Sequence, residues 1–501
     1  ALKARLRREM PDRVRDYTLR WDADRGGLTG LKELDRMVEE DLWRELEDDT
    51  RDLLRPAPAT WQEADALAVE DFVAERSRGY VERPAVSDRL IDFALSSDSP
   101  SGDAPLRGCV VAGESGSGKS SLFGKVYDAL KTRHRNGELI LLAHAAGIYP
   151  RSGDVDRLLT RWVSELAQCL SIPDPLANRT GTSATDTLSE SDWETDGEDT
   201  GRRDNADSTA ATSEDIDRAF ASLLHRACTG HRVVLLVDAL NQFDPSVRTT
   251  SMTWLPQPGA WPANARFIAT TIPCEASDTL RQRQDCRELL VPPISPEEAR
   301  EIAHRHYQRY RRVANSQVVD ALIAKQTAVG TPSHGSPLWL SLALQEMNLL
   351  EADDYARADR DYASLPGEQR ILRLQLDEAG KLPGDVPGIY GELLDRVARH
   401  CGAAWSSALL QLLAVSRAGW RESDLQQLIP RVSGHPWSDL AFAQGRRILG
   451  PHLVQRGALS QWDCFHTSLR DAVLSRGFPG EPGGKDLHRH ICDHLDTLPA
   501  S

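Results

Sequence analysis

Apolar positions along this chain fall into two patterns, and the pattern changes near residue 293. Before it, short runs at 109–112, 139–143, 232–238, 266–271 and 288–291 are apolar or β-branched almost without interruption. Runs of that length, apolar on both sides, predict strands of a parallel sheet buried on both faces. Between them apolar residues return at helical spacing, as in Leu158, Trp162, Val163, Leu166 and Leu170, and again over 216–228. Strands alternating with helices predict an α/β core. From Ser295 onward the spacing is helical, with helices expected at 296–312, 318–325 and 337–347, then a charged stretch over 351–385. Further helices near 389–400, 408–416 and 422–428 precede a strand pair around 453–462 and a helix over 467–474. Upstream, residues 1–75 read as charged helices. Their stripe of Leu28, Leu31, Leu34, Met37, Val38, Leu42 and Trp43 is interrupted at Arg55-Pro-Ala-Pro58 and resumes at Trp61. The stripe reads as a packing face. Arg76 to Pro84 reads as a loop, and 86–95 as a short amphipathic helix.

Length adds domain count. At 501 residues the chain exceeds one core, so two to four domains are expected. The boundaries read as a helical connector over 1–75, an α/β core over 76–292, a helical lid over 293–386 and a last domain over 387–501. The net charge of −15 opposes a protein built to hold nucleic-acid phosphates. Part of that charge sits in 173–214, where Ser, Thr, Asp, Glu and Gly dominate; such a segment buries too little apolar surface to order, and reads as a disordered acidic insertion. Eight scattered cysteines, with no C-x-x-C pair, predict reduced thiols in a cytoplasmic protein. No apolar run is long enough to span a bilayer, and the charged start does not read as a signal peptide. Residue 1 is Ala, which suggests a segment of a longer protein.

The chemistry begins after the first core strand. Gly113-Glu114-Ser115-Gly116-Ser117-Gly118-Lys119-Ser120 has the spacing G-x-x-x-x-G-K-[ST] between an apolar run and an amphipathic one. Glycines let the backbone curl with its N–H groups pointing inward, and the following helix adds its N-terminus, together an anion cradle. Lys119 is placed for the β- and γ-phosphates, Ser120 for Mg²⁺, with Ser121 beside them. These residues predict a bound nucleotide with Mg²⁺. Asp238 ends an apolar strand downstream and is placed to share the Mg²⁺ with Ser120. Asp238-Ala-Leu-Asn241-Gln242 then lacks the acid that would take a proton from the attacking water; Asn241 can only orient it, so hydrolysis is expected to be slow. Thr270 and Thr271 end the next strand, where a hydroxyl could sense the γ-phosphate. Pro337 suits a first helical position and His466 a helix start, and both have that plain structural reading. The basic cluster from His304 to Arg312 reads as a solvated helix face.

The order of these signals over residues 78–475 resembles the STAND class of P-loop NTPases, in particular the NACHT-like branch of the nephrocystin and telomerase-associated type. The matches are Tyr80-Val-Glu-Arg83, GESGSGKSSL at 113–122, His144-Ala-Ala-Gly-Ile148, VVLLVDALNQF at 233–243, WLP at 254–256, Gly335-Ser-Pro337-Leu and FHTSLRDAV at 465–473. The resemblance implies a P-loop αβα parallel-sheet core, then a helical lid and a winged-helix domain. It also implies Arg83 and Pro337 near the base and His466 against the β-phosphate of ADP, locking a closed state. Glu82 stands where such proteins carry a glycine. An upstream effector and downstream sensor repeats would lie in the same full-length chain, which would self-associate when ATP replaces ADP; neither membrane nor nucleic acid is an expected partner. The alternative is an AAA+-like motor acting on protein or nucleic acid.

Overall fold

In a computed structural model the chain divides into two units, Ala1–Ala59 and Thr60–Ser501. Residues 20–22, 27–29, 31–50, 60–77, 81–96, 105–149, 151–177, 211–310, 312–350, 352–417, 419–456, 460–477 and 484–497 are described. The acidic insertion expected over 173–214 falls mostly on 178–210, outside the described residues, as does Tyr80. In the first unit, β1 (Arg20–Asp22) pairs antiparallel with β2 (Gly27–Thr29), and α1 spans Leu31–Thr50. Leu28, counted above in a helical stripe, is therefore in a strand. Gly26 and Gly27 explain the difference, since both oppose helix propagation. On α1 the apolar Leu31, Val38, Leu42, Trp43 and Leu46 are exposed rather than packed.

The second unit opens with α2 (Trp61–Ser77) and α3 (Pro84–Leu95), so Arg76 lies in a helix and not in the expected loop. The core follows as β3 (Gly108–Ala112), α4 (Lys119–Arg135), β4 (Ile140–Ala145), α5 (Val155–Cys169), α6 (Ser213–Cys228), β5 (Val233–Asp238), α7 (Val247–Thr250), β6 (Ala265–Thr271), α8 (Glu275–Gln282) and β7 (Cys286–Leu290). All five strands are parallel, in the order β4-β5-β6-β3-β7. Strand alternation divides the apolar side chains between two layers. On β5, Val233, Leu235 and Val237 face the side covered by α5 and α6, whereas Val234 and Leu236 face the side of α2, α3 and α4. Burial on both faces is why these strands read as unbroken apolar runs.

The order has one consequence for chemistry. β6 lies between β3, which feeds the glycine loop, and β5, which ends in Asp238. The C-terminal ends of three neighbouring strands therefore converge on one edge of the sheet, where open α/β folds bind ligands.

The helical half comprises α9 (Pro296–Arg309), α10 (Ser316–Ile323), α11 (Pro337–Asn348), α12 (Ala352–Asp361), α13 (Gly367–Lys381), α14 (Val386–Cys401), α15 (Ala403–Val415), α16 (Glu422–Ser433) and α17 (Asp439–Leu449). The antiparallel pair β8 (Leu453–Arg456) and β9 (Gln461–Cys464), α18 (Thr467–Ser475) and α19 (Lys485–Leu495) complete it. Trp420, between α15 and α16, bridges to Trp462 of β9, so helices α15 to α17 are followed by a small β-wing, a winged-helix arrangement. The charged stretch over 351–385 is two helices, α12 and α13. Few of their residues are buried, and ion pairs Arg357–Glu378 (2.7 Å), Arg370–Asp359 (3.3 Å) and Arg373–Asp377 (3.1 Å) accompany the thin apolar face. One continuous apolar core runs from Ile294 to Leu487, through Trp339, Tyr390, Trp405 and Leu469.

Candidate functional site

The glycine loop joins β3 to α4 as the sequence requires. Gly116 and Gly118 have φ of 80° and 91°, a left-handed conformation that side chains with a Cβ resist. A Cβ on Gly116 would also lie 2.7 Å from that of Leu338. Gly113 donates its N–H to Thr271 O at 3.3 Å, and Ser117 N–H donates to Glu114 O at 3.2 Å. The Lys119 ammonium is folded onto the loop itself, donating to Gly113 O (2.9 Å), Glu114 O (2.6 Å) and Ser117 Oγ (3.4 Å). Burial lowers its pKa, against the pull of Asp238 and Glu114. An amine satisfied by two carbonyls and a hydroxyl of its own loop is placed to exchange them for phosphate oxygens.

Asp238 is buried at the end of β5, and burial pushes its carboxyl pKa up. Hydrogen bonds from Thr270 and Ser120, with the nearby charges of Arg76 and Lys119, oppose that rise. Thr270 thus reaches the site through Asp238: its hydroxyl donates to Oδ1 and accepts from Ala239 N–H at 3.1 Å. Ala239 sits at φ 62°, local strain directly after the acid. Asn241 Oδ1 accepts from Ile272 N–H at 3.3 Å, which ties the turn after β5 to the end of β6.

Two pieces of the helical half cap the loop. Ser336 caps α11 by accepting from Trp339 N–H at 3.3 Å, Pro337 takes the first helical position, and Leu338 N–H donates to Gly116 O at 3.2 Å. Beside it lies a cavity of about 150 Å³. Arg83, Ser117, Gly118, Ser121 and Pro337 line it together with the apolar Val81, Val86, Leu122, Val291, Ile294 and Ile302. Arg83 is fixed there, its Nε on Glu298 Oε1 (3.0 Å) and its other donors on the carbonyls of Pro292 (2.8 Å) and Pro293 (3.3 Å). Glu82 turns away to pair with Lys125.

From the other side comes α18. His466 is its N-cap, with Nδ1 accepting from Ser468 N–H at 3.1 Å, and Ser468 Oγ lies 3.2 Å from Ser115 Oγ on the glycine loop. Burial, then the positive charges of Arg76 and Lys119 and the neighbouring His452, lower the His466 pKa to about 4. Its imidazole is neutral at neutral pH. Arg76 donates to Phe465 O at 3.1 Å and lies over the Phe465 ring, 4.1 Å from its centroid.

The structure therefore gathers Arg83, Gly113 to Ser121, Asp238, Thr270, Pro337 and His466 around one cleft, while Asn241 is engaged at its edge. Sequence reasoning missed Arg76, Leu338, Ser468 and the apolar cavity wall. The run FHTSLRDAV held the signal for Ser468; the cavity wall has no local signal. The residues fit a magnesium nucleotide. Left-handed glycines leave room for phosphates, and Ser120 and Asp238 offer two oxygens. Among the described residues no group of three or more His, Cys, Asp or Glu could hold a metal alone, and Mg²⁺ takes its remaining ligands from water and phosphate.

One family model agrees with this chemistry. Residues 83–259 match the family model described as AAA ATPase domain. A TPR repeat-containing protein of Dictyostelium discoideum is 25% identical over 325 residues, covering 64% of this chain and 18% of its own length. Among solved structures, a STAND protein with a tetratricopeptide repeat sensor from Pyrococcus horikoshii has 14% identity and a TM-score of 0.41, with 84% of this chain and 46% of that one covered. The Walker-type ATPase of Pyrococcus abyssi has 13% identity and a TM-score of 0.31, with 79% and 96% covered. Sheet order, glycine loop and placed acid define a P-loop nucleotide-binding fold. More narrowly, residues 83–259 are similar to AAA ATPase domains. No helix among the described residues is long and apolar enough to cross a membrane.

Proposed function

We propose that this chain is the regulatory nucleotide switch of a larger STAND protein of the NACHT-like branch. It binds ATP or ADP with Mg²⁺, hydrolyses slowly, and controls self-association. One observation carries the reading: the N-terminus of α18 touches the glycine loop through Ser468 and Ser115, with His466 beside it. A group mounted on a separate domain and set at the phosphate end can discriminate di- from triphosphate, and a switch needs that differential contact. Lys119, Ser120 and Asp238 bind; Thr270 orients the acid; Pro337 and Arg83 close the base side; Asn241 replaces the missing base with an amide. Slow turnover follows from that replacement. The TPR-containing relative, of which the matched region spans 18%, supports placing a repeat-type sensor elsewhere in a longer chain.

The test is the nucleotide carried through purification, identified by chromatography after denaturation. Near-stoichiometric ADP is expected, with ADP retention lost and assembly by light scattering gained in His466→Ala. A nucleotide-free protein that turns over added ATP steadily would overturn the switch reading in favour of a motor-like ATPase.

A further inference from the structure

The segment that holds His466 over the loop is itself held, and by a residue that belongs to none of the motifs. Phe465, directly before His466, is gripped twice by Arg76: its carbonyl accepts from the guanidinium at 3.1 Å and its ring lies 4.1 Å beneath it. The guanidinium also lies 5.2 Å from the ring centroid of Phe72, one turn back on α2. Phe72 in turn packs on Phe123 of the phosphate-loop helix, with ring centroids 6.3 Å apart. Rings and cation form an unbroken chain of contacts from the winged-helix domain to the helix begun by Lys119. A cation resting on aromatic rings and partly withdrawn from water is held more firmly than an exposed ion pair.

We propose that Arg76 is a positioning residue for bound nucleoside diphosphate: by holding Phe465 it fixes His466 over the glycine loop and slows ADP release. The inference rests on the switch reading of His466 and adds to it a second point of control. Because Arg76 belongs to α2, N-terminal to the ATPase core, the retention of ADP becomes sensitive to that helix. Displacement of α2 would withdraw the guanidinium, loosen the Phe465–His466 turn and so lower the barrier to diphosphate release, without any change in the loop.

The experiment is release of fluorescently labelled ADP from the full chain after a chase with unlabelled ADP. Arg76→Ala is expected to release ADP roughly tenfold faster or more, the scale of one cation–π contact plus one charge-assisted hydrogen bond. Arg76→Lys should recover part of the retention. The double variant Arg76→Ala/His466→Ala should be no faster than His466→Ala alone, because both changes act through one imidazole. Wild-type release from Arg76→Ala, or additive acceleration in the double variant, overturns the proposal. If His466→Ala retains ADP while Arg76→Ala loses it, the switch reading fails and takes this route with it; the reverse result removes Arg76 alone. Should Arg76→Ala not fold, Phe465→Leu, which keeps apolar volume and loses the ring, must accelerate release or the proposal falls.

Discussion

The two ends of the cleft are built by opposite means. At the phosphate end, residues 113–120 are consecutive, and each backbone turn is fixed by local geometry. At the other end, where we propose that the base sits, the wall is assembled from Val81, Val86, Val291, Ile294 and Ile302, brought together by α3, the exit of β7 and α9. The first end needs only a strand, two left-handed glycines and a helix; the second exists only once two modules have docked. Anion recognition depends on directed N–H groups and so conserves its own shape, whereas an apolar wall needs area and can be drawn from anywhere.

The largest effect expected is at the phosphate end. Lys119→Ala should weaken ADP and ATP about 100-fold or more, since a cation facing phosphate makes the strongest class of hydrogen bond; calorimetric binding within tenfold of wild type would show that the loop does not carry the affinity. Gly116→Val combines a forbidden φ with the Leu338 contact, and should cost about 1–3 kcal/mol in thermal or denaturant unfolding. An unperturbed variant would mean that the loop and α11 separate readily. Ile302→Ala tests the other end: ADP should bind about tenfold more weakly while inorganic tripolyphosphate, which has no base, binds as before. Equal losses for both ligands would erase the distinction between the ends.

The smallest effect is in pH. The His466 pKa of about 4 lies below the ordinary ~6.5 of a free imidazole, so its contribution to stability is full above pH ~6.5 and lost as pH falls through about 4. His466→Asn keeps an N-cap acceptor and removes the titration. Its melting temperature should fall less than that of wild type between pH 6.5 and 4; the buried His144 and His452 are common to both proteins and cancel. Identical slopes would place His466 in water rather than under the capping turn.

That asymmetry also decides what was legible in the sequence. The five strands and the glycine loop could be read because burial on both faces and phosphate binding impose local patterns. Asp238 could be read because it ends such a strand. Arg76 could not, since the run from Arg76 to Pro84 reads as a loop, and its partner Phe465 arrives from 389 positions away. Thr270 was expected to face phosphate from its place at a strand end; its actual partner, Asp238, is set by sheet order, which a list of strands does not contain. Helices α12 and α13 were hidden because their periodicity lies in ion pairs rather than in apolar spacing.

The single interior from Ile294 to Leu487 constrains how the cleft can empty. A body sharing one interior travels as one piece, so Leu338 and Ser468 leave the glycine loop together. The chain crosses from sheet to helical half through 291–295, where two successive prolines stiffen the crossing and Arg83 grips both of their carbonyls. Such a hinge has little slack, and partial opening gives up contacts without yet freeing the ligand. Base and phosphates should therefore depart in one kinetic phase, like a door that is either latched or wide, and the dwell time of the nucleotide becomes a clock set by that one barrier.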